Sequence, residues 1–279
     1  MSDPREQMRR EWDDIARENA FYGVASWDEF ADPSSIDEDR YWRSGAVLAD
    51  NLLAHLGLGR TEALTVVEIG CGNGRVTHRL AARFSKVWAL DISPEMIARA
   101  KARWQGLSNV RFEVGSGADL APVPTASADV VLSFITLHHV TEPAVVLSYI
   151  GETGRVLKSG GCALLHLHTI ERNPLRRAAG RILGRAPFDA WWDRGFEPLA
   201  RPAEAPQAVV RKRVWQGCRV PVGAARRAVR EAGLDLARAE GEGTFWTFLT
   251  LRKPERAADS HAPLPSSADS SGVTRVSQS

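Results

Sequence analysis

The chain has 279 residues, 44% hydrophobic and 25% charged, with a formal net charge of +2. Such a chain suits one substantial soluble domain with an elaboration, or two small ones, and its near-neutral balance gives no reason to expect a nucleic-acid partner. No apolar run approaches the roughly 20 residues of a membrane helix, and the charged start MSDPREQMRREWDD lacks the apolar core of a signal peptide.

In chain order, Arg5 to Tyr22 has helical spacing, with Met8, Trp12, Ile15, Ala16 and Asn19 near one face. An aromatic, acidic stretch follows from Trp27 to Trp42, interrupted by the turn-prone Asp32-Pro33-Ser34-Ser35. A second helix is expected from about Ser44 to Leu56, stopping near Gly57 and Gly59. Leu64 to Ile69 then reads as a strand, and helical spacing resumes with Val76, Leu80 and Ala81. Lys86 to Leu90 is a second strand; Ser93-Pro94-Glu95 opens a helix with serine as cap and proline in the first turn. Val110 to Val114 and Ala128 to Ser133 are strands, Pro143 to Leu157 a helix, Lys158 to Gly161 a turn, and Cys162 to His168 a fifth strand. Apolar strands alternating with helices predict an α/β fold, a parallel sheet covered on both faces. From Ile170 to Arg230 there are 14 Lys/Arg against 5 Asp/Glu. This reads first as a solvated surface and second as a cap facing an anionic acceptor. Val222 to Ala232 is a helix ended by Gly233, and Leu234 to Ala239 and Thr244 to Leu251 are the last strands. The Ser/Ala/Pro-rich tail from Glu255 is expected to be disordered.

The most informative segment is Glu68-Ile69-Gly70-Cys71-Gly72-Asn73-Gly74-Arg75. Glycines at alternate positions between a strand and a helix let a ligand approach the backbone, and the turn leaves N–H groups free for an anion. A dinucleotide-binding turn is similar, but its fingerprint asks for Gly or Ala at the sixth position, where this chain has Arg75. Glu68, just before the first glycine, is placed to receive an ammonium group. Asp91, ending the next strand, is placed to accept from both hydroxyls of a ribose. The three cysteines, Cys71, Cys162 and Cys218, form neither a disulfide framework nor a CxxC zinc pair, which fits a reducing cytoplasm.

Glu68-Ile-Gly70-Cys-Gly72-Asn-Gly74, followed by Leu90-Asp91-Ile92-Ser93, resembles the class I methyltransferases that use S-adenosylmethionine (SAM), in the broad group acting on small molecules such as sugars and natural products. The resemblance runs from about Val66 to Lys253. It implies a Rossmann-like, mostly parallel sheet of seven strands with helices on both faces and an antiparallel last strand. Residues 1–60 would be a helical lid, 61–254 the catalytic domain with a cap insertion at about 170–220, and 255–279 a tail. It implies that Glu68 and the backbone of Gly70 and Gly72 hold the methionine end, that Asp91 binds the ribose and that Ile92 packs on adenine. Cys71, Gly74, Arg75, Gly117 and Phe134 complete the expected cofactor shell, with Tyr22 closing over it from the lid. Ser116 stands where relatives carry an Asp toward the adenine amino group.

Methyl transfer to a hydroxyl benefits from a base. The resemblance points to the tandem pair His138 and His139 after the fourth strand, although either histidine can serve packing instead. No Asp/Glu cluster accompanies them or His166 and His168, so no metal is expected. The acceptor would be a small molecule met by the aromatics Phe21, Tyr22, Trp27, Phe30, Tyr41 and Trp42 and by Phe188, Trp191, Trp192 and Trp215, unless these form small cores of their own. Transfer to nitrogen or carbon, SAM binding without catalysis, and a nicotinamide oxidoreductase are the competing readings. Nucleic-acid methylation is disfavoured, since no Asn/Asp-Pro-Pro-Tyr-type segment follows the fourth strand. The oligomeric state is open, a homodimer included.

Overall fold

A computed structural model of the chain describes residues 3–171 and 217–255. The expected cap insertion with Phe188, Trp191, Trp192 and Trp215, most of the basic stretch, and the tail beyond Glu255 lie outside the described residues.

Helix α1 (Pro4–Ala25) is capped by Asp3 and breaks at Asn19, whose φ of −163° and ψ of 93° leave the helical region. The break has a local cause. The Asn19 amide donates to the carbonyls of Phe30 and Ala31, and its oxygen accepts from Tyr22 N. Helix α2 (Glu38–His55) starts six residues earlier than the sequence suggested. Asp37 supplies the cap by accepting from Arg40 N, so Tyr41 and Trp42, at the end of the aromatic stretch, are helical. The chain then alternates through β1 (Thr65–Ile69), α3 (Thr77–Ala81), β2 (Lys86–Asp91), α4 (Pro94–Arg103), β3 (Val110–Val114), β4 (Ala128–Ser133) and α5 (Pro143–Val156). It continues through β5 (Leu157–Leu167), β6 (Thr169–Ile170), β7 (Val220–Pro221), α6 (Val222–Glu231), β8 (Asp235–Glu240) and β9 (Thr247–Arg252). The expected turn at Lys158–Gly161 is instead part of β5, entered through a register shift against β4.

Seven strands form one sheet in the order β3-β2-β1-β4-β5-β9-β8. The pairs from β3 to β5 are parallel, and β9 runs antiparallel to both β5 and β8. The expected α/β sheet with its antiparallel final strand is therefore present. Alternate residues of the central strands feed separate cores: Val67, Ile69 and Val131 on one face, Val66, Val87 and Val130 on the other. Each such side chain contributes roughly 1.5–3 kcal/mol on burial. Phe30, Tyr41, Trp42 and Ala25 form a smaller core of their own, joined by Phe21 and Trp27, so these aromatics pack the N-terminal segment together.

Candidate active site

The sheet order reverses between β1 and β4, which opens a crevice at the carboxyl ends of β1, β2 and β4, where open α/β sheets bind ligands. Gly70 and Gly72 occupy left-handed backbone conformations, φ 77° and 53°. Gly70 N and Cys71 N both donate to the Leu90 carbonyl, at 2.7 and 3.0 Å, so the turn is tied to β2. Asp91 is fixed on both oxygens: Gly72 N donates to Oδ2 and Ser93 N to Oδ1, each at 2.9 Å. Burial still pushes its carboxyl up to about 6, the two backbone bonds only partly offsetting it. Burial likewise raises Glu68 to about 7, although the Thr77 hydroxyl donates to Oε2 at 2.6 Å.

A cavity of about 110 Å³ fills the crevice. Its wall includes Glu68, Gly70, Cys71, Gly72, Arg75, Asp91, Ile92, Gly117, Phe134 and His139 of the expected residues. Tyr22, Gly74, Ser116 and His138 do not reach it. Tyr22 is buried, but the helical restart at Asn19 presents Gly23 and Val24 to the cavity instead. Gly74 faces the Trp104 ring, 2.7 Å from where a Cβ would stand. Ser116 turns back on its own loop, its hydroxyl accepting from Ala118 N and Asp119 N at 3.1 Å.

Wall residues not expected from the sequence include Met8, Trp12, Val24, Asp119, Ile135, Thr136 and Tyr149. The buried stripe of α1 carried a signal for the first of these, and Asp119 lies only three positions beyond Ser116. Val24 and Thr136 occupy the space that side chains on Gly72 and Gly70 would need, with atoms 2.6 and 2.2 Å from the hypothetical Cβ positions.

The two histidines separate. His139 lines the cavity and meets the Trp12 ring edge-on, centroids 5.3 Å apart. His138 lies behind it, 3% exposed, against His139, His166 and Phe245. Its Nδ1 has no hydrogen-bond partner among the described residues. Burial, with His139, His166 and His168 adding to it, holds its imidazole well below the usual histidine range. Among the described residues no group of three or more His, Cys, Asp or Glu is arranged to hold a metal ion.

Residues 66–161, which carry this crevice, match the family described as methyltransferase domain. The match spans about a third of the chain and agrees with the resemblance to class I SAM-dependent methyltransferases carried by the glycine loop. A ubiquinone biosynthesis O-methyltransferase of Xanthomonas oryzae pv. oryzae is 36% identical over 145 residues, covering 50% of this chain and 57% of that protein. A trans-aconitate 2-methyltransferase of Methylobacterium nodulans is 33% identical over 147 residues, covering 51% and 52%. The chain thus spans about half the length of the curated relatives it matches. Among solved structures, geranyl diphosphate C-methyltransferase of Streptomyces coelicolor aligns with a TM-score of 0.57 at 16% identity, over 90% of this chain and 98% of that one. Magnesium protoporphyrin IX methyltransferase of Synechocystis aligns with a TM-score of 0.56, also at 16% identity, over 92% and 99%. At such identity these two show the fold alone.

The crevice also carries an uneven charge pattern. Arg75 is fully buried, held by two N–H bonds to the Ser44 hydroxyl at 3.1 and 3.0 Å and lying over the Trp27 and Tyr41 rings. No carboxylate lies within ion-pair distance of it among the described residues. A buried cation without a counterion is costly, and so is the buried carboxyl of Glu68. Both line one cavity, and a zwitterionic amino-acid end would complement both.

Proposed function

We propose that this chain transfers the methyl group of SAM to a hydroxyl oxygen of a small acceptor. Glu68 would receive the ammonium of the methionine end, Arg75 its carboxylate, and Asp91 the ribose hydroxyls. Asp119, on the same wall, takes over the adenine contact expected of Ser116. When bound, SAM supplies a methyl carbon made electrophilic by its sulfonium. The protein's share is alignment, which contributes roughly 7–11 kcal/mol in well-oriented reactions, and removal of the acceptor's proton, worth typically 10²–10⁴-fold.

The observation that carries the oxygen acceptor is His139, the one histidine of the tandem pair on the cavity wall. A neutral imidazole there can take the hydroxyl proton as the oxygen becomes nucleophilic. Acceptors that are already strong nucleophiles would need no such group. The similarity to a ubiquinone biosynthesis O-methyltransferase agrees with this choice. The test is incubation with SAM and a panel of hydroxylated, amino, carboxylate and activated-carbon acceptors, following the demethylated nucleoside. Turnover confined to hydroxylated acceptors is expected. Binding of NAD in place of SAM, or turnover only with amines or activated carbons, would overturn the reading.

A further inference from the structure

Strand β4 leaves the sheet through Phe134-Ile135-Thr136, and Ile135 sits in the left-handed region at φ 49°. A β-branched residue rarely stays there unless its surroundings hold it. Its backbone N–H donates to Nδ1 of His166 on β5, at 3.1 Å. Since Nδ1 accepts, the ring hydrogen belongs on Nε2, which faces the Phe245 carbonyl at 3.1 Å. The ring is fully buried and lies near-parallel to Trp246 and Phe248, with centroids 5.1 and 4.7 Å away. Both nitrogens are used and the ring plane is fixed.

We infer that His166 is a positioning residue: it pins the left-handed backbone of Ile135, and so sets Thr136 over Gly70 and His139 on the cavity wall. His166 itself does not line the cavity, so it acts through the loop. Burial drives its imidazole down to about 3, and the bond pattern therefore persists across any ordinary assay pH. The loop connects the parts directly. Ile135 precedes Thr136, whose side chain fills the notch at Gly70, and His139 N donates back to the Thr136 carbonyl at 2.9 Å.

The inference rests on the reading that the cavity takes a sulfonium nucleoside, and its test separates the two. His166→Phe keeps a flat ring for the stack but offers Ile135 no acceptor. It is expected to weaken calorimetric binding of S-adenosylhomocysteine about tenfold, roughly 1.4 kcal/mol. Ile135→Gly in that background removes the backbone strain, though also a side chain from the cavity wall, and should recover at least about threefold of the lost affinity. His166→Asn, which keeps an acceptor near Nδ1, should lose less than His166→Phe. In parallel, nitrogen NMR of the ligand-free protein should show Nε2 protonated and Nδ1 accepting. The opposite tautomer, wild-type affinity in His166→Phe, or no recovery in the double variant would each overturn the inference. If the wild-type protein ignores the nucleoside, the proposed function fails, and the NMR tautomer still decides whether His166 holds Ile135.

Discussion

At the scale of single residues, the question left by the sequence was which of two adjacent histidines meets the acceptor. They lie in one turn of tight helix, Leu137–His139. With about three residues per turn, neighbours point roughly a third of a circle apart. One therefore reaches the cavity and the other is buried behind it. A tandem motif read from sequence holds no such angle, so the pair could not be divided there. His139→Ala is expected to lower turnover at least about tenfold while calorimetric SAM affinity is retained, the pattern of a group that works on the acceptor's proton. A loss below about threefold would remove the histidine base. Glu68 and Asp91 were legible because a strand end fixes where a side chain can stand. Ser116 was not, because a short hydroxyl next to glycines satisfies its own loop before it reaches a ligand.

At the scale of elements, helix α1 is a strap across the crevice, fastened at identifiable points. Asp13 accepts from the Ser93 hydroxyl at 2.5 Å and from Glu95 N at 3.1 Å, so it supplements the Ser93 cap of α4. Beyond it, Ala16 and Ala20 pack on Met96, and Val24 enters the notch at Gly72. The same Asp13 lies close enough to raise Asp91 electrostatically. Asp13→Ala should destabilise the fold by about 1–2 kcal/mol, within the range of lost caps and charged hydrogen bonds. It should also speed amide exchange in α1 more than in β1. Asp13→Asn, keeping an acceptor oxygen, should lose less. An unchanged denaturation midpoint with unchanged exchange in Asp13→Ala would show that the strap is held without it. The α4 start was readable because Ser-Pro-Glu is a local signal. The tie to Asp13 was not, since it joins residues 80 apart in sequence. Similarly, α2 hid its first turn behind Tyr41 and Trp42, and β5 absorbed Lys158–Gly161, where Lys158 is held by Asp129 across the sheet at 2.8 Å.

For the molecule as a whole, alternating apolar strands and helices made the sheet legible, because period and turn chemistry are local. What joins the parts is long-range, and its clearest consequence is electrostatic. Buried groups in the crevice and behind its wall are shifted in opposite senses. Glu68 and Asp91 are raised, so their contribution to stability is present below about 4.5 and 3.8 and is lost as pH rises toward about 7 and 6. His138 and His166 are lowered, so theirs is present above about 6.5 and is lost as pH falls. Thermal stability alone mixes the two, but cofactor affinity does not. Below about pH 7 Glu68 holds a proton that an incoming ammonium must displace. SAM affinity should therefore fall at least about tenfold between pH 7.5 and 5.5, one proton being taken up per released ligand. Asp91 steepens the fall at the acid end, because ribose hydroxyls donate best to its ionised form. Glu68→Gln should bind SAM more weakly, lose most of this slope, and raise the Tm of the ligand-free protein at pH 7.5, where the wild type buries an ionised carboxylate. Affinity that is flat with pH in the wild type, or undiminished in Glu68→Gln, would mean that the ammonium end is held elsewhere in the crevice.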